Sequence, residues 1–449
     1  MLELIKKNKE IMVICVLYGI ISFVLFGLLT RGTVTIHGDS PEYVALANNL
    51  SSDGFFSQDG INPDYVRTPG YPLFLALIYL IGGNNTTVVV VQIVLMMVKV
   101  YLFYQILILL GTPGRLSLMG SLLLLFYIHS YRYSFEILTE PLFGLFLMLS
   151  LYFLISFFKN SKTSLVFFLF SLSLNYALFI RPVLMYFNML VCFALLIAFI
   201  VKKIQIKCFV IFALCFAVLF GGWSYRNYLH SGVFIFSSLP KAMRLQYEAP
   251  IITEYMKNND VTGLIMGATN HQEMFLQEYP EAKDGNLNAA QVAVLQGKYG
   301  SQFIRDNFSE YIKVNIDGFL KIMFSPFGTE YFISSSTLST KAMLVKIMQS
   351  IYLVYLIIIY VIYLIGLGIG IKKRDILQIS IFLLSGYFLA PSAIYGSIRY
   401  RDQFFPLLLL CAVSNSGIII HWLSQKLRLP VLRRIENYLL YEKRNDSSG

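Results

Sequence analysis

The chain carries little charge. Only 14% of its 449 residues are Asp, Glu, Lys or Arg, against about 25% in a soluble domain, which excludes a globule solvated on all sides. Cysteine is also scarce: Cys15, Cys192, Cys208, Cys215 and Cys411 all lie in or beside apolar runs. Neither a disulfide framework nor a metal-ligand spacing is present, and the thiols read as small buried hydrophobes. Five histidines form no cluster, and His37 and His271 stand alone in polar segments, so neither reads as a metal ligand. Internal repeats and low-complexity segments are missing. A Gly-rich phosphate cradle is missing too, so no nucleotide-binding loop is expected. Lys6, Lys7 and Lys9 precede a long apolar run that has no small-residue cleavage site, so the first hydrophobic segment is expected to remain.

What the chain has is apolar length. It is 57% hydrophobic with mean hydropathy +0.65, and Phe (37) and Tyr (30) are abundant, as lipid contact and interfacial belts require. A spanning helix needs about 20 apolar residues. Candidate spans run near 11–30, 86–110, 115–133, 138–158, 164–180, 183–201, 207–226, 343–371, 376–395 and 403–422. The fold class is therefore an all-α polytopic membrane protein of about ten transmembrane helices, roughly nine to twelve. With the amino terminus in the cytoplasm, every short inner loop is basic: Arg115; Lys159 and Lys162; Lys202, Lys203 and Lys207; Lys372, Lys373 and Arg374. The tail adds Lys426, Arg428, Arg433 and Arg434. The net charge of +11 thus sets membrane orientation and does not point to nucleic acid.

Four regions follow: an amino-terminal transmembrane module, 1–226, with a first outer loop, 31–86; an extracytoplasmic region, 227–342; carboxyl-terminal transmembrane helices, 343–424; and a basic cytoplasmic tail, 425–449, whose end, 444–449, reads as disordered. Loops as long as the two outer ones usually carry function. In the first, Asp39 and Ser40 precede Pro41, and Tyr43, Leu46, Ala47 and Leu50 then recur at helical spacing, predicting an amphipathic surface helix. Asp39 suits either a helix N-cap or a carboxylate facing a cavity. Next, Arg67 precedes a rigid turn containing Pro69, Gly70, Tyr71 and Pro72, and the short apolar stretch 71–82 reads as re-entrant or interfacial. In the second outer loop, 288–326 reads as a long amphipathic stretch interrupted by glycine.

The chemistry-bearing residues fall on the outer side. Glu136 and Glu140, four apart, are expected to share a helix face and to need a cation. Arg67, Arg181, Arg226, Arg399 and Arg401 all sit at outer ends of spans, against the bias that keeps positive charge inside. A bound anion explains them, and a lipid phosphate suits the planar guanidinium fork. Charges otherwise keep to the helix ends, with Gln92 and Asn175 as the mid-span polar residues, which weighs against a transporter.

Four stretches give the chain a family likeness: "GDSPEYVALANNL", "RTPGYPLFLALIYLIGG", "LTEPLF", and the pair "WSYRNYLHSGVF" and "RYRDQFFP". In their order and on the outer face, these resemble the C-type glycosyltransferase (GT-C) superfamily of integral membrane enzymes. The branch is the bacterial one related to protein O-mannosyltransferases and the lipid A aminoarabinose transferase. The resemblance implies a GT-C fold and a polyprenyl-phosphate (undecaprenyl-type) sugar donor, with hexosyl or pentosyl transfer by an inverting single displacement. The acceptor would be an extracytoplasmic cell-envelope glycan such as O-antigen, a lipid or a protein. It implies Asp39 and Glu140 as catalytic acids, with Arg67, Tyr71, Glu136, Arg181, Arg226, Arg399 and Arg401 on the substrate. The family's paired first-loop acids are replaced here by Asp39 with Glu42 three residues on, which leaves a divalent metal open. The implied location is a bacterial inner membrane with the site facing the periplasm. A flippase, transporter or polymerase of lipid-linked glycans is the alternative.

Overall fold

The structure, a computed structural model, describes residues 8–159, 162–258, 264–283, 285–326, 338–373, 375–427 and 430–440. The tail end expected to be disordered, 444–449, lies outside them. Every regular element among the described residues is helical. In chain order these are α1 (Lys9–Thr30), α2 (Ser40–Asp53), α3 (Gly70–Leu80), α4 (Asn85–Leu109), α5 (Gly114–Leu125), α6 (His129–Phe135), α7 (Glu140–Lys159), α8 (Ser164–Ile180), α9 (Met185–Ile200), α10 (Ile206–Phe216) and α11 (Gly222–Ser231). The region expected outside holds α12 (Leu239–Met243), α13 (Ala249–Asn258), α14 (Leu264–Glu278), α15 (Ala289–Asp306) and α16 (Phe308–Phe324). The chain closes with α17 (Leu338–Lys373), α18 (Ile376–Ser392), α19 (Arg401–Leu427) and α20 (Pro430–Leu440).

Among the described residues, eight helices are long and apolar enough to cross a membrane, and the chain is a multi-pass membrane protein. Each of the ten expected spans falls on helix, and 164–180 coincides with the 17-residue α8. One differs: 115–133 breaks into α5 and α6. The break has a local cause. The Phe126 and Tyr127 amides close the end of α5 on the carbonyls of Leu123 and Leu124, and Tyr127 then stacks on Phe405 of α19 (4.2 Å between centroids). The stretch at 71–82 forms α3, with α2 lying along it.

Burial separates centre from rim. The span ending in α19 has 61% of its apolar window buried, whereas those at Pro182–Ile200 and Ile206–Ser231 have 11% and 17%. The last two therefore turn most of their surface, including Leu190, Phe193, Leu214 and Val218, to the surrounding lipid. At one end of the bundle, residues expected inside meet: Arg115 donates to the Tyr438 carbonyl (2.9 Å) and lies over its ring. The acids and arginines expected outside converge elsewhere, as set out below.

The amphipathic stretch is interrupted at Asn307, between α15 and α16, and not at a glycine. Gly297, Gly300 and Gly318 are inside the helices because neighbouring chain passes too close for a side chain. A Cβ on Gly318 would lie 1.8 Å from the Ala393 carbonyl oxygen.

The contact between α3 and α8 bears directly on the site. A Cβ on Gly70 would lie 2.6 Å from the Phe179 carbonyl. Thr68 donates to the Ile180 carbonyl (2.7 Å), and Tyr176 donates to that of Gly70 (3.1 Å). This approach brings Arg67, just before α3, beside Arg181, just after α8. Gly70→Val is expected to destabilise the protein by about 1–3 kcal/mol through overpacking. It should lower the melting temperature in detergent, and an unchanged melting temperature would show that the close approach is not needed.

Candidate functional site

Asp39 is held by a turn in which Gly38 takes a positive φ of 59°, a backbone shape suited to glycine. Although Asp39 stands at the start of α2, its side chain makes no capping bond. Instead Oδ1 accepts from Arg67 (2.7 Å) and Oδ2 from Arg399 (2.6 Å). The capping role open to it is therefore not taken, and the carboxylate is ion-paired on both oxygens.

Arg67 is fixed on several sides. Asp64 Oδ1 accepts from the backbone amides of Val66 and Arg67 (3.0 and 2.9 Å), an Asx-type turn. The Arg67 Nε donates to Glu42 (2.6 Å), and its guanidinium sits 5.0 Å from the Tyr43 ring centroid. Glu140, the first residue of α7, accepts a very short bond from Arg399 Nε and a second from its outer nitrogen (3.3 Å), and lies 3.3 Å from Arg181. A carboxylate in a first helical turn is also favoured by the helix dipole. Three carboxylates (Asp39, Glu42, Glu140) and three guanidiniums (Arg67, Arg181, Arg399) thus form one charge-balanced cluster.

The cluster has an open side and a closed side. The Asp39 and Arg399 side chains are 29% and 27% exposed, while Glu140 is 1% exposed. Burial raises the pKa of Asp39, but Arg67 and Arg399 outweigh it and hold the carboxyl down at about 2. Burial likewise disfavours the charged Arg67, yet Tyr43, Glu42 and Asp39 raise its pKa.

The remaining expected site residues fall elsewhere. Glu136 and Glu140 do not share a helix face, since α6 ends at Phe135 and α7 begins at Glu140. Glu136 pairs with Arg132 (3.1 Å) and lies 3.7 Å from His37, at the edge of the cluster. Tyr71 is fully buried under Tyr43, donating to Gln92 (2.7 Å). Arg226 donates to the backbone carbonyls of Asp64 and Phe56 (2.8 and 3.2 Å) and faces Trp223, so it braces the first loop from behind. Arg401 is fully buried and donates to the carbonyls of Ile322 and Ser325 (2.6 and 2.7 Å) at the end of α16. His271 bonds Thr253 and Tyr299 (2.7 and 3.1 Å). Among the described residues no group of three or more His, Cys, Asp or Glu could hold a metal, and the Asp39 and Glu140 oxygens face guanidiniums. The arrangement does not fit a divalent cation.

Sequence reasoning missed one feature. Charges do not all keep to the helix ends, because Lys99 lies well inside α4. It is 1% exposed, and its Nζ is 3.8 Å from Asp402 of α19, itself 4% exposed. The signal was the single charged residue of a largely apolar 25-residue helix. Gln92 and Asn175, by contrast, serve packing. Gln92 donates to the carbonyls of Ser134 and Glu136 (3.1 and 2.8 Å), and Asn175 accepts from Asn188 (3.1 Å).

The fold and site together define a helical multi-pass membrane protein with an acid–arginine cluster at one end of its bundle. No protein-family model and no curated protein matches the sequence. Among solved structures the chain is similar to ArnT from Cupriavidus metallidurans, in a crystal structure bound to undecaprenyl phosphate. The two are 10% identical, with a TM-score of 0.40, over 92% of this chain and 80% of that one.

Because its folded pKa of about 2 lies below the ordinary value of 3.8, Asp39 contributes stability that is complete above that ordinary value. This contribution fades only as pH falls through about 2. The melting-temperature difference between wild type and Asp39→Asn should therefore stay constant from pH 7 to about pH 5. A difference that collapses within that interval would show that Asp39 is not ion-paired as described.

Proposed function

We propose that the chain is a membrane glycosyltransferase that moves a sugar from a polyprenyl-phosphate donor to an extracytoplasmic acceptor. The observation that carries this reading is the bridging of Asp39 and Glu140 by Arg399, flanked by Arg67 and Arg181, at a partly open end of the bundle. It pairs a carboxylate able to take a proton with guanidiniums able to hold a phosphate. The order of the motifs that resemble the GT-C superfamily supports the same assignment.

In this reading the donor's anomeric carbon lies beside Asp39. The acceptor hydroxyl attacks it, Asp39 takes the hydroxyl proton, and the carbon–oxygen bond to phosphate breaks with its electron pair on the departing polyprenyl phosphate. One displacement inverts the anomeric centre. Arginine N–H donors stabilise the charge growing on the phosphate. The resting Asp39 is a weak base because two guanidiniums hold it. A donor phosphate that takes N–H bonds from Arg67 and Arg399 removes that hold and raises the basicity of Asp39 when it is needed. A bacterial inner membrane with the site facing the periplasm fits the basic inner loops.

Asp39→Asn keeps the shape but removes the proton acceptor. Transfer of labelled sugar from a polyprenyl monophosphate in detergent should fall by about 10²–10⁴-fold, with folding and polyprenyl-phosphate binding retained. Full activity of the purified variant would end the assignment of Asp39 as base. An active preparation that moves whole oligosaccharides instead would favour a polymerase.

A further inference from the structure

The segment that delivers Arg399 is clamped from two sides. A 3₁₀ turn, Ile398–Tyr400, runs straight into α19. Arg401 reaches one way, onto the carbonyls that end α16, where a cation also meets the negative end of the helix dipole. Asp402 reaches the other way, to Lys99. Lys99 Nζ in turn lies against α7 at Gly144, 3.1 Å from where a Cβ would sit. Gly144 is one helical turn along from Glu140, the residue that Arg399 grips. Two ionic contacts are therefore stacked along α7: Arg399 on Glu140, and the Asp402–Lys99 pair one turn deeper.

As a stabilising device that deeper pair is poor. Its separation of 3.8 Å is too long for a hydrogen bond, and neither Lys99 Nζ nor Asp402 Oδ1 has a hydrogen-bond partner among the described residues. Two nearly sealed charges in that state lose more by leaving water than their attraction returns. Buried ionic groups with so little energetic reason are best explained by geometry that they fix or by function.

We propose that Lys99 and Asp402 are positioning residues that set the register of the Ile398–Asp402 turn, so that Arg399 reaches Asp39 and Glu140 together and is placed for the donor phosphate. The placement for phosphate rests on the function proposed above; the control of Arg399 does not.

The test uses the full-length protein and the double variant Lys99→Met/Asp402→Leu, which replaces the pair by apolar side chains of similar volume. Its melting temperature should equal or exceed that of wild type. Its affinity for polyprenyl phosphate should fall and its KM for the donor rise by about tenfold, since a displacement of about 1 Å can cost up to ~10²-fold. KM for the acceptor should not change. In a cryo-EM structure of the double variant, Arg399 should no longer touch both Asp39 and Glu140. Wild-type polyprenyl-phosphate affinity with Arg399 still bridging would make the pair merely structural and overturn the proposal. If the double variant does not fold, Asp402→Glu serves in its place. It keeps both charges but lengthens one arm, so it should melt like wild type with a raised donor KM, and an unchanged donor KM overturns the proposal. Wild-type protein that binds no polyprenyl phosphate would count against the proposed function, while the position of Arg399 in the variant still decides the positioning claim.

Discussion

Arg399 holds two carboxylates that would otherwise repel. Its Nε and one outer nitrogen go to Glu140 and the other outer nitrogen goes to Asp39, a use of the planar donor fork that lysine cannot reproduce. The two acids belong to different parts of the chain, one on the loop after the first span and one at the start of α7. Without Arg399, buried Glu140 would keep Arg181 at 3.3 Å and the Thr139 hydroxyl at 3.4 Å, and Asp39 would keep Arg67. The first loop, α7 and α19 are thus joined at one guanidinium.

The rest of the bundle supplies fixed ends for that joint. Glu140 opens α7, so its charge sits where backbone amides point outward. Arg181 follows α8 directly, and α8 is pressed against the start of α3 by the missing side chain of Gly70. Arg226 holds the carbonyls of Phe56 and Asp64, while the Asp64 carboxylate shapes the turn that presents Arg67. Arg67, Arg181 and Glu140 are thus placed by backbone contacts made within a few residues of each.

Much of this was legible in the amino-acid order. Apolar length marked the spans, and proline and acid at 139–141 marked the start of α7. Arginine on the side that disfavours it marked Arg67, Arg181 and Arg399. What could not be read was the target of each arginine. Arg226 and Arg401 have the same local signature as Arg399, yet they satisfy backbone carbonyls, and only the packing of distant segments decides between a carbonyl and a carboxylate. Glu136 and Glu140 looked like one helical face because spacing alone does not show a helix break; here the backbone turns extended at Glu136, and Gln92 takes the Ser134 and Glu136 carbonyls. Lys99 was passed over because its partner, Asp402, is three hundred residues away in sequence.

Lys99 and Asp402 also bear on the choice between a transferase and a transporter. A charge pair inside a membrane bundle is the usual mark of a transport path, and the expectation that charges keep to the helix ends no longer argues against one. Exposure does. A transported solute must meet its site from each side in turn, so the site must open toward a cavity. Lys99 and Asp402 are 1% and 4% exposed, the backbone of Gly144 on α7 lies against Lys99, and Tyr127 and Tyr352 are buried too. The accessible charges of the cluster are Asp39, Glu42 and Arg399, at 29%, 38% and 27%, and they lie together at one end. Chemistry confined to one face of the bundle, with a sealed pair behind it, favours a reaction at that face over passage through the protein.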